Sequence, residues 1–204
     1  MIKNIIFDMG GVLRKFNREA FILEFKLNKE DSETLMNEVL LSVEWSMMDR
    51  GSLLDEEACE RVKHNLPDHL KKYADILVLH WEDMSKPVPG MADLIKELKD
   101  NGYGIYLLSN ASKRIHEYFK SIPGSEYFDG HVVSCDYGYV KPQDEIYKML
   151  NVKYGLKLDE CLFIDDTPIN IEGAMHNGMD GIVFHGSVKE LREKLKKKGI
   201  KVTE

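Results

Sequence analysis

Cysteine is scarce and unpaired in this chain of 204 residues, with Cys59, Cys135 and Cys161 as the whole set. An odd total at wide spacing excludes a disulfide scaffold and a cysteine zinc site, and it suits buried thiols in a reducing compartment. Long apolar runs are missing too. No stretch approaches the ~18 residues of a membrane span, and the first residues lack a signal-peptide core, so a cytoplasmic location with no membrane partner is expected. Positive charge is in deficit, the formal net charge being -7. That balance disfavours nucleic acid as a partner, which needs a basic stripe. Lys194, Lys196, Lys197, Lys198 and Lys201 do cluster, but as the solvated face of a closing helix. Also absent are a glycine-rich phosphate loop ending in Lys-Ser/Thr, a Gly-x-Gly-x-x-Gly turn and a His-Glu-x-x-His pair.

What is present is the material of a folded globular protein, 43% apolar and 31% charged. Ile2 to Phe7 is a short isoleucine-rich run that stops at Asp8 and the glycines Gly10 and Gly11, the pattern of a buried strand delivering an acid to a tight loop. From Arg14 to Lys86 nothing alternates like a strand. Leu35, Val39 and Val43, broadened by Leu40, predict one apolar stripe on an amphipathic helix. Gly51 breaks that run, and Ser52 with Asp55, Glu56 and Glu57 predicts an N-cap followed by an acidic first turn. A further helix is expected around 70–81. Pro87-Val88-Pro89-Gly90 then closes the block.

Beyond it the rhythm is helix and strand in alternation. Helices are expected over 91–101, 112–121, 142–154, 169–177 and 188–198, and strands over 103–108, 130–135, 161–164 and 181–184. Such alternation predicts an α/β fold with a doubly wound parallel sheet. The expected organisation is an α/β core of residues 1–13 and 87–204, with 14–86 a separate helical module.

Three of these strands end in polar groups: Asp8, the pair Ser109-Asn110, and the pair Asp165-Asp166. In a parallel sheet those ends share one crevice. Lys141, held extended by Pro142, is a fourth candidate, since its cation offsets carboxylate repulsion and attracts an anionic substrate. Taken singly each has a plainer role: Asp before glycine starts turns, Ser-Asn and Asp-Asp cap helices, and Lys-Pro begins one. Together the acids form a hard oxygen set with no histidine or cysteine, which suits Mg²⁺ and a substrate phosphate. Ser109 and Asn110 would add a hydroxyl and an amide for phosphoryl oxygens.

The order Asp8-x-Gly-Gly-Val, Leu108-Ser109-Asn110, Lys141-Pro142 and Phe163-Ile164-Asp165-Asp166-x-x-x-Asn170 resembles the haloacid dehalogenase-like hydrolases across essentially the whole chain. The resemblance implies a Rossmann-like core with a small helical-bundle cap after the first motif. It also implies a nucleophilic Asp8 that forms an aspartyl-phosphate, and Mg²⁺ held by Asp8, the Gly10 carbonyl and Asp166. Ser109, Asn110 and Lys141 would bind the phosphoryl group, Asp165 would support Lys141 or the metal, and Asn170 would stand behind them.

Family phosphatases place a second Asp two residues after the nucleophile as general acid, and here that position is Gly10. The expected activity is Mg²⁺-dependent hydrolysis of a small phosphorylated metabolite such as a sugar phosphate. The alternatives are a 2-haloacid dehalogenase and a weakly catalytic phosphate-binding protein. Trp45, Asp49 and Arg50 are candidates to face the substrate, with packing the plainer role for Trp45.

Overall fold

A computed structural model describes residues 1–203. Its centre is a five-stranded sheet of order β3-β2-β1-β4-β5, parallel throughout. The strands are β1 (Asn4–Phe7), β2 (Gly104–Ser109), β3 (Gly130–Val133), β4 (Cys161–Asp165) and β5 (Asp180–Val183). Ile5, Ile6 and Phe7 are all fully buried, because the middle strand of a parallel sheet is covered on both faces. Successive side chains go to opposite faces. Ile5 and Phe7 therefore join one apolar cluster, while Ile6 joins a second with Leu108 and Phe163.

The chain runs outward from β1 through β2 to β3, then returns to place β4 on the other side of β1. That reversal is a topological switch point, where open α/β sheets bind ligands beyond the strand ends. Register pairs Phe7 with both Leu107 and Ile164. One residue further on, Asp8 falls beside Asp165.

Between β1 and β2 lie α1 (Arg18–Glu24), α2 (Lys29–Leu35), α3 (Val43–Asp49), α4 (Asp55–Asn65), α5 (Lys71–Leu79), α6 (Trp81–Met84) and α7 (Met91–Asp100). The first three begin on side-chain caps, since Asn17, Asn28 and Ser42 each accept a backbone N–H three residues on. The chain enters and leaves this block at one neck. There Lys15 N–H donates to Lys86 C=O at 2.8 Å, Val88 N–H donates to Leu13 C=O at 2.9 Å, and Arg14 pairs with Pro87. The block's apolar residues, from Phe21 to Trp81, form one continuous cluster with Val88, Met91 and the strand residues Ile5 and Phe7.

The single stripe expected through Val43 divides. Leu35, Val39 and Leu40 are buried, but a π-helical turn over Met36–Leu40 ends the helix. Ser42 then caps a new one, which leaves Val43 65% exposed. Ser52 is not the cap of α4 either. Its hydroxyl donates to Met47 C=O at 3.1 Å, and α4 starts after Leu54 with Asp55, Glu56 and Glu57 in its first turn.

The second half follows the expected alternation with shorter elements. They are α8 (Ile115–Tyr118), α9 (Ser134–Tyr137), α10 (Asp144–Tyr154), α11 (Pro168–His176) and α12 (Val188–Lys197). The strand expected to reach Cys135 stops at Val133, where the chain turns into α9. The helix expected over 112–121 is α8 followed by a 3₁₀ turn, Phe119–Ser121. Gln143 precedes α10, so Pro142 lies outside the helix it was expected to start. All three cysteines are free and buried, and among the described residues no helix is long and apolar enough to cross a membrane.

Candidate active site

Asp8, Asp165 and Asp166 bring carboxylate oxygens within 4.8 Å of one another beyond the ends of β1 and β4. The Lys141 ammonium joins them, 2.8 Å from Asp8 Oδ1 and 2.6 Å from Asp165 Oδ2. Lys141 lies in a turn, closed by the Gln143 N–H donating to Val140 C=O at 2.8 Å, and its position has a local cause. Asn110 grips the Lys141 backbone from both sides, accepting its N–H at 2.8 Å and donating Nδ2 to its C=O at 3.1 Å. The amide expected to meet phosphoryl oxygens therefore holds the lysine. Gly173 permits the approach of α11 to the same segment, since a Cβ there would crowd Pro142 and the Tyr147 hydroxyl.

The two adjacent acids differ. Asp165 is fully buried, and both its oxygens are engaged by Lys141, by the Thr167 N–H at 2.8 Å and by Asn170 Nδ2 at 3.1 Å. Asn170 is itself held, its carbonyl accepting the Tyr147 hydroxyl at 2.7 Å. Asp166 is exposed, with its carboxylate packed against Gly11, whose φ of 80° and missing Cβ make room for it. Gly10 lies outside the left-handed region, and a Cβ there would meet Phe16 at an ordinary 3.5 Å. Ser109 is wholly buried at the end of β2, and the turn Asn110-Ala111-Ser112 faces the cavity in front of it.

Electrostatics follow from this crowding. Burial pushes the Asp8 carboxyl up to about 7 against the pull of Lys141, with Asp165 and Asp166 adding to the rise. Burial works against the Lys141 cation, yet Asp8 and Asp165 outweigh it and raise its pKa. Asp166 is raised by desolvation and by Asp165. When ionised, three carboxylates face one ammonium, an excess of negative charge that a divalent cation with oxygen ligands would balance.

Asp8, Lys141 and Asp166 form the floor of a cavity of ≈ 460 Å³ whose roof comes largely from the helical block. Phe16, Trp45, Trp81 and Tyr118 line it as a connected row of rings, with centroids 5.1 to 6.1 Å apart. Trp45 was expected to pack, and it does so against Phe16 while also facing the cavity. Asp49 lines the same space, but Arg50 turns to the core, donating to Gln143 Oε1 at 3.1 Å. Arg18 and Tyr118 are cavity residues that the sequence did not single out, and Asp55, expected only as a first-turn acid, lines the cavity with them. No motif marks them, because irregular helix junctions bring them in.

Known proteins resemble the chain over nearly its full length. It is 26% identical over 195 residues to a sesquiterpene phosphatase of Aspergillus oryzae, spanning 94% of each chain. Identity is 28% over 183 residues to the D-ribitol-5-phosphate phosphatase of Bacteroides thetaiotaomicron, spanning 84% of this chain and 86% of that one. Among solved structures, a HAD-family enzyme of Bacteroides thetaiotaomicron in complex with magnesium and inorganic phosphate superposes with a TM-score of 0.75. It shares 24% identity, over 94% of this chain and 99% of that one. The L-2-haloacid dehalogenase of Xanthobacter autotrophicus gives a TM-score of 0.67 at 18% identity, over 98% and 84%. At those identities the two structures show the fold alone. Residues 2–178 match the family model described as haloacid dehalogenase-like hydrolase, and the chain belongs to that family of hydrolases.

Proposed function

We propose that the protein is a Mg²⁺-dependent phosphatase that acts on a small phosphorylated metabolite through an aspartyl-phosphate on Asp8. The observation that carries this is the Asp8 carboxylate on the cavity floor, 2.8 Å from a buried lysine and beside two further carboxylates. A carboxylate attacks a phosphoryl group only where like charges are offset. Lys141 supplies one positive charge, and the pairing with Asp165 and the grip of Asn110 fix where it points.

Asp8, the Gly10 carbonyl and Asp166 would hold Mg²⁺, with Asp165 kept for Lys141 because its oxygens are already engaged. Bound there, the ion would neutralise charge on the phosphoryl oxygens. The turn Asn110-Ala111-Ser112 would face those oxygens, with Ser109 behind it. A covalent intermediate splits one difficult displacement into two easier ones.

Residues 14–86 would act as a cap over a core of 1–13 and 87–204, excluding water and selecting the substrate. Phe16, Trp45 and Trp81 support that role by lining the cavity from the block's side. Their rings suit a metabolite with an apolar face, such as a sugar ring or a hydrocarbon. The phosphatases named above act on phosphorylated small molecules by name, which agrees with this class.

The test is hydrolysis of p-nitrophenyl phosphate with Mg²⁺ and with a chelator. Turnover should need the metal, and Asp8→Asn should lower it by about 10³-fold or more without loss of fold. A variant as fast as the wild type would refute the aspartyl-phosphate. Halide release from a chloroacid without metal would favour a dehalogenase instead.

A further inference from the structure

Resting on the phosphatase assignment above, we infer that Asp49 of the helical block is the general acid and base that replaces the carboxyl missing at Gly10. Asp49 lines the same cavity as Asp8, Gly10 and Lys141. Among the described residues its carboxylate takes no hydrogen bond and no ion pair, and the residue is partly exposed where it lines the cavity. The other acids of the cavity are differently placed. Asp8 is paired with Lys141, Asp166 is packed against Gly11, Asp55 accepts the Ser112 hydroxyl, and Glu19 is exposed.

Its position is set by the core and not by the block alone. The Ser134 hydroxyl donates to the Asp49 carbonyl at 2.5 Å and accepts the Ala111 N–H at 3.0 Å. One serine thus ties Asp49 to the turn that follows Asn110. Arg50 donates to Gln143 Oε1, which also accepts the Val140 N–H at 3.0 Å, next to Lys141. Gly51, at a φ of 70°, lies so close to the Cys135 carbonyl that no side chain fits between them. Three consecutive residues of the block are therefore fastened to the loops that carry Lys141 and Asn110.

The charged groups around Asp49 are Arg18 on α1, Lys141 on the floor and Asp55 on α4, and the Tyr118 ring is also near. Burial pushes the Asp49 carboxyl up to about 7, Arg18 and Lys141 pull it down, and Asp55 raises it. A carboxyl in that range gives and recovers a proton near neutral pH.

In the first step an Asp8 oxygen forms a bond to phosphorus and the bond to the leaving oxygen breaks. Its electron pair stays on that oxygen, which takes the Asp49 proton. In the second step the Asp49 carboxylate takes a proton from water as the water oxygen attacks phosphorus. The bond from phosphorus to Asp8 then breaks with its pair returning to Asp8, releasing phosphate and restoring both groups.

The experiment compares wild type and Asp49→Asn, both with Mg²⁺, on p-nitrophenyl phosphate and on an alkyl phosphate. Asp49→Asn should lose about 10²–10⁴-fold on the alkyl ester. On the aryl ester it should keep a rapid burst of nitrophenol and accumulate a hydroxylamine-sensitive phosphoenzyme, because only the second step then needs the base. Adding Gly10→Asp to Asp49→Asn should restore alkyl hydrolysis by tenfold or more, since Gly10 is not left-handed and has room for a Cβ.

The folding readout is independent. A carboxyl raised from 3.8 to about 7 binds its proton more tightly in the folded state, so wild type loses stability as pH climbs through that window. Asp49→Asn escapes the loss and should melt higher than wild type at pH 8 but not at pH 4. If Asp49→Asn does not fold, Asp49→Glu serves, and it should displace the alkaline limb of the alkyl-phosphate pH profile. An unmoved limb overturns the proposal, as does an equal loss by Asp49→Asn on both esters or no loss on either. If the wild type makes no phosphoenzyme and hydrolyses neither ester, the phosphatase assignment itself fails and this proposal goes with it.

Discussion

Asp165 and Asp49 are acids in opposite circumstances, one buried behind the cavity floor and the other lining the cavity. Asp165, at the end of β4, meets a lysine, a backbone N–H and an amide, and Asn110 and Tyr147 in turn hold the backbones of Lys141 and Asn170. Across the cavity Asp49 has a fixed backbone and an unengaged carboxylate. The sheet supplies acids and a lysine that are engaged with one another. The helical block supplies shape and unsatisfied groups. Removing the floor's cation should therefore break both fold and chemistry, whereas removing a ring of the roof should change what is bound.

Lys141→Ala is the strongest way to break that contrast. It strands the buried Asp8 and Asp165 without their cation, and losing one partner of a buried pair costs about 3–5 kcal/mol. Chemical denaturation should show a loss of that size, together with loss of turnover. A mild loss would mean that the floor tolerates unpaired charge.

Next in size is Leu35→Ala, beneath the roof, where a fully buried leucine should be worth about 2–5 kcal/mol. Asn170→Ala should follow at about 1–3 kcal/mol, since it removes the amide that both Asp165 oxygens share. Its effect on activity should exceed that of Leu35→Ala, because Asp165 then orients Lys141 less firmly. Trp45→Ala sharpens the comparison from the other side. Competition between a ring-bearing and a linear phosphate ester should be reordered while the rate on p-nitrophenyl phosphate changes by only a few-fold. An equal fall on every substrate would make Trp45 a packing residue. Val43→Ser should do least, within about 0.5 kcal/mol, because Val43 faces water.

The floor was legible in the sequence and the roof was not, for a physical reason. Strand ends converge whatever lies between them, so Asp8, Lys141, Asp165 and Asp166 could be gathered from three short motifs. What Asn110 does was less visible, since an amide that binds a neighbouring backbone reads in sequence like one that awaits a ligand. The roof depends on where helices stop. A continuous period through Leu35, Val39 and Val43 gave no sign that a π-helical turn and the Ser42 cap would end it at Leu41. The acids after Ser52 were placed correctly at the start of α4, yet the hydroxyl went back to Met47. Asp49 and Arg50 were both expected to face the substrate, and the sequence could not say that only one of them lines the cavity.

The neck at Leu13–Lys15 and Lys86–Val88 bears on how such a molecule can diversify. Arg14 and Pro87 are paired, so the chain departs from the sheet and comes back at neighbouring points. Opposed residues of this kind are only ~5 Å apart. The neck alone therefore sets no length for what is strung between them, and the apolar cluster shared with Ile5, Phe7 and Met91 is what ties that segment to β1 and α7. Change in this segment is thus limited by the surface it shares with the sheet and not by the width of the doorway through which the chain passes.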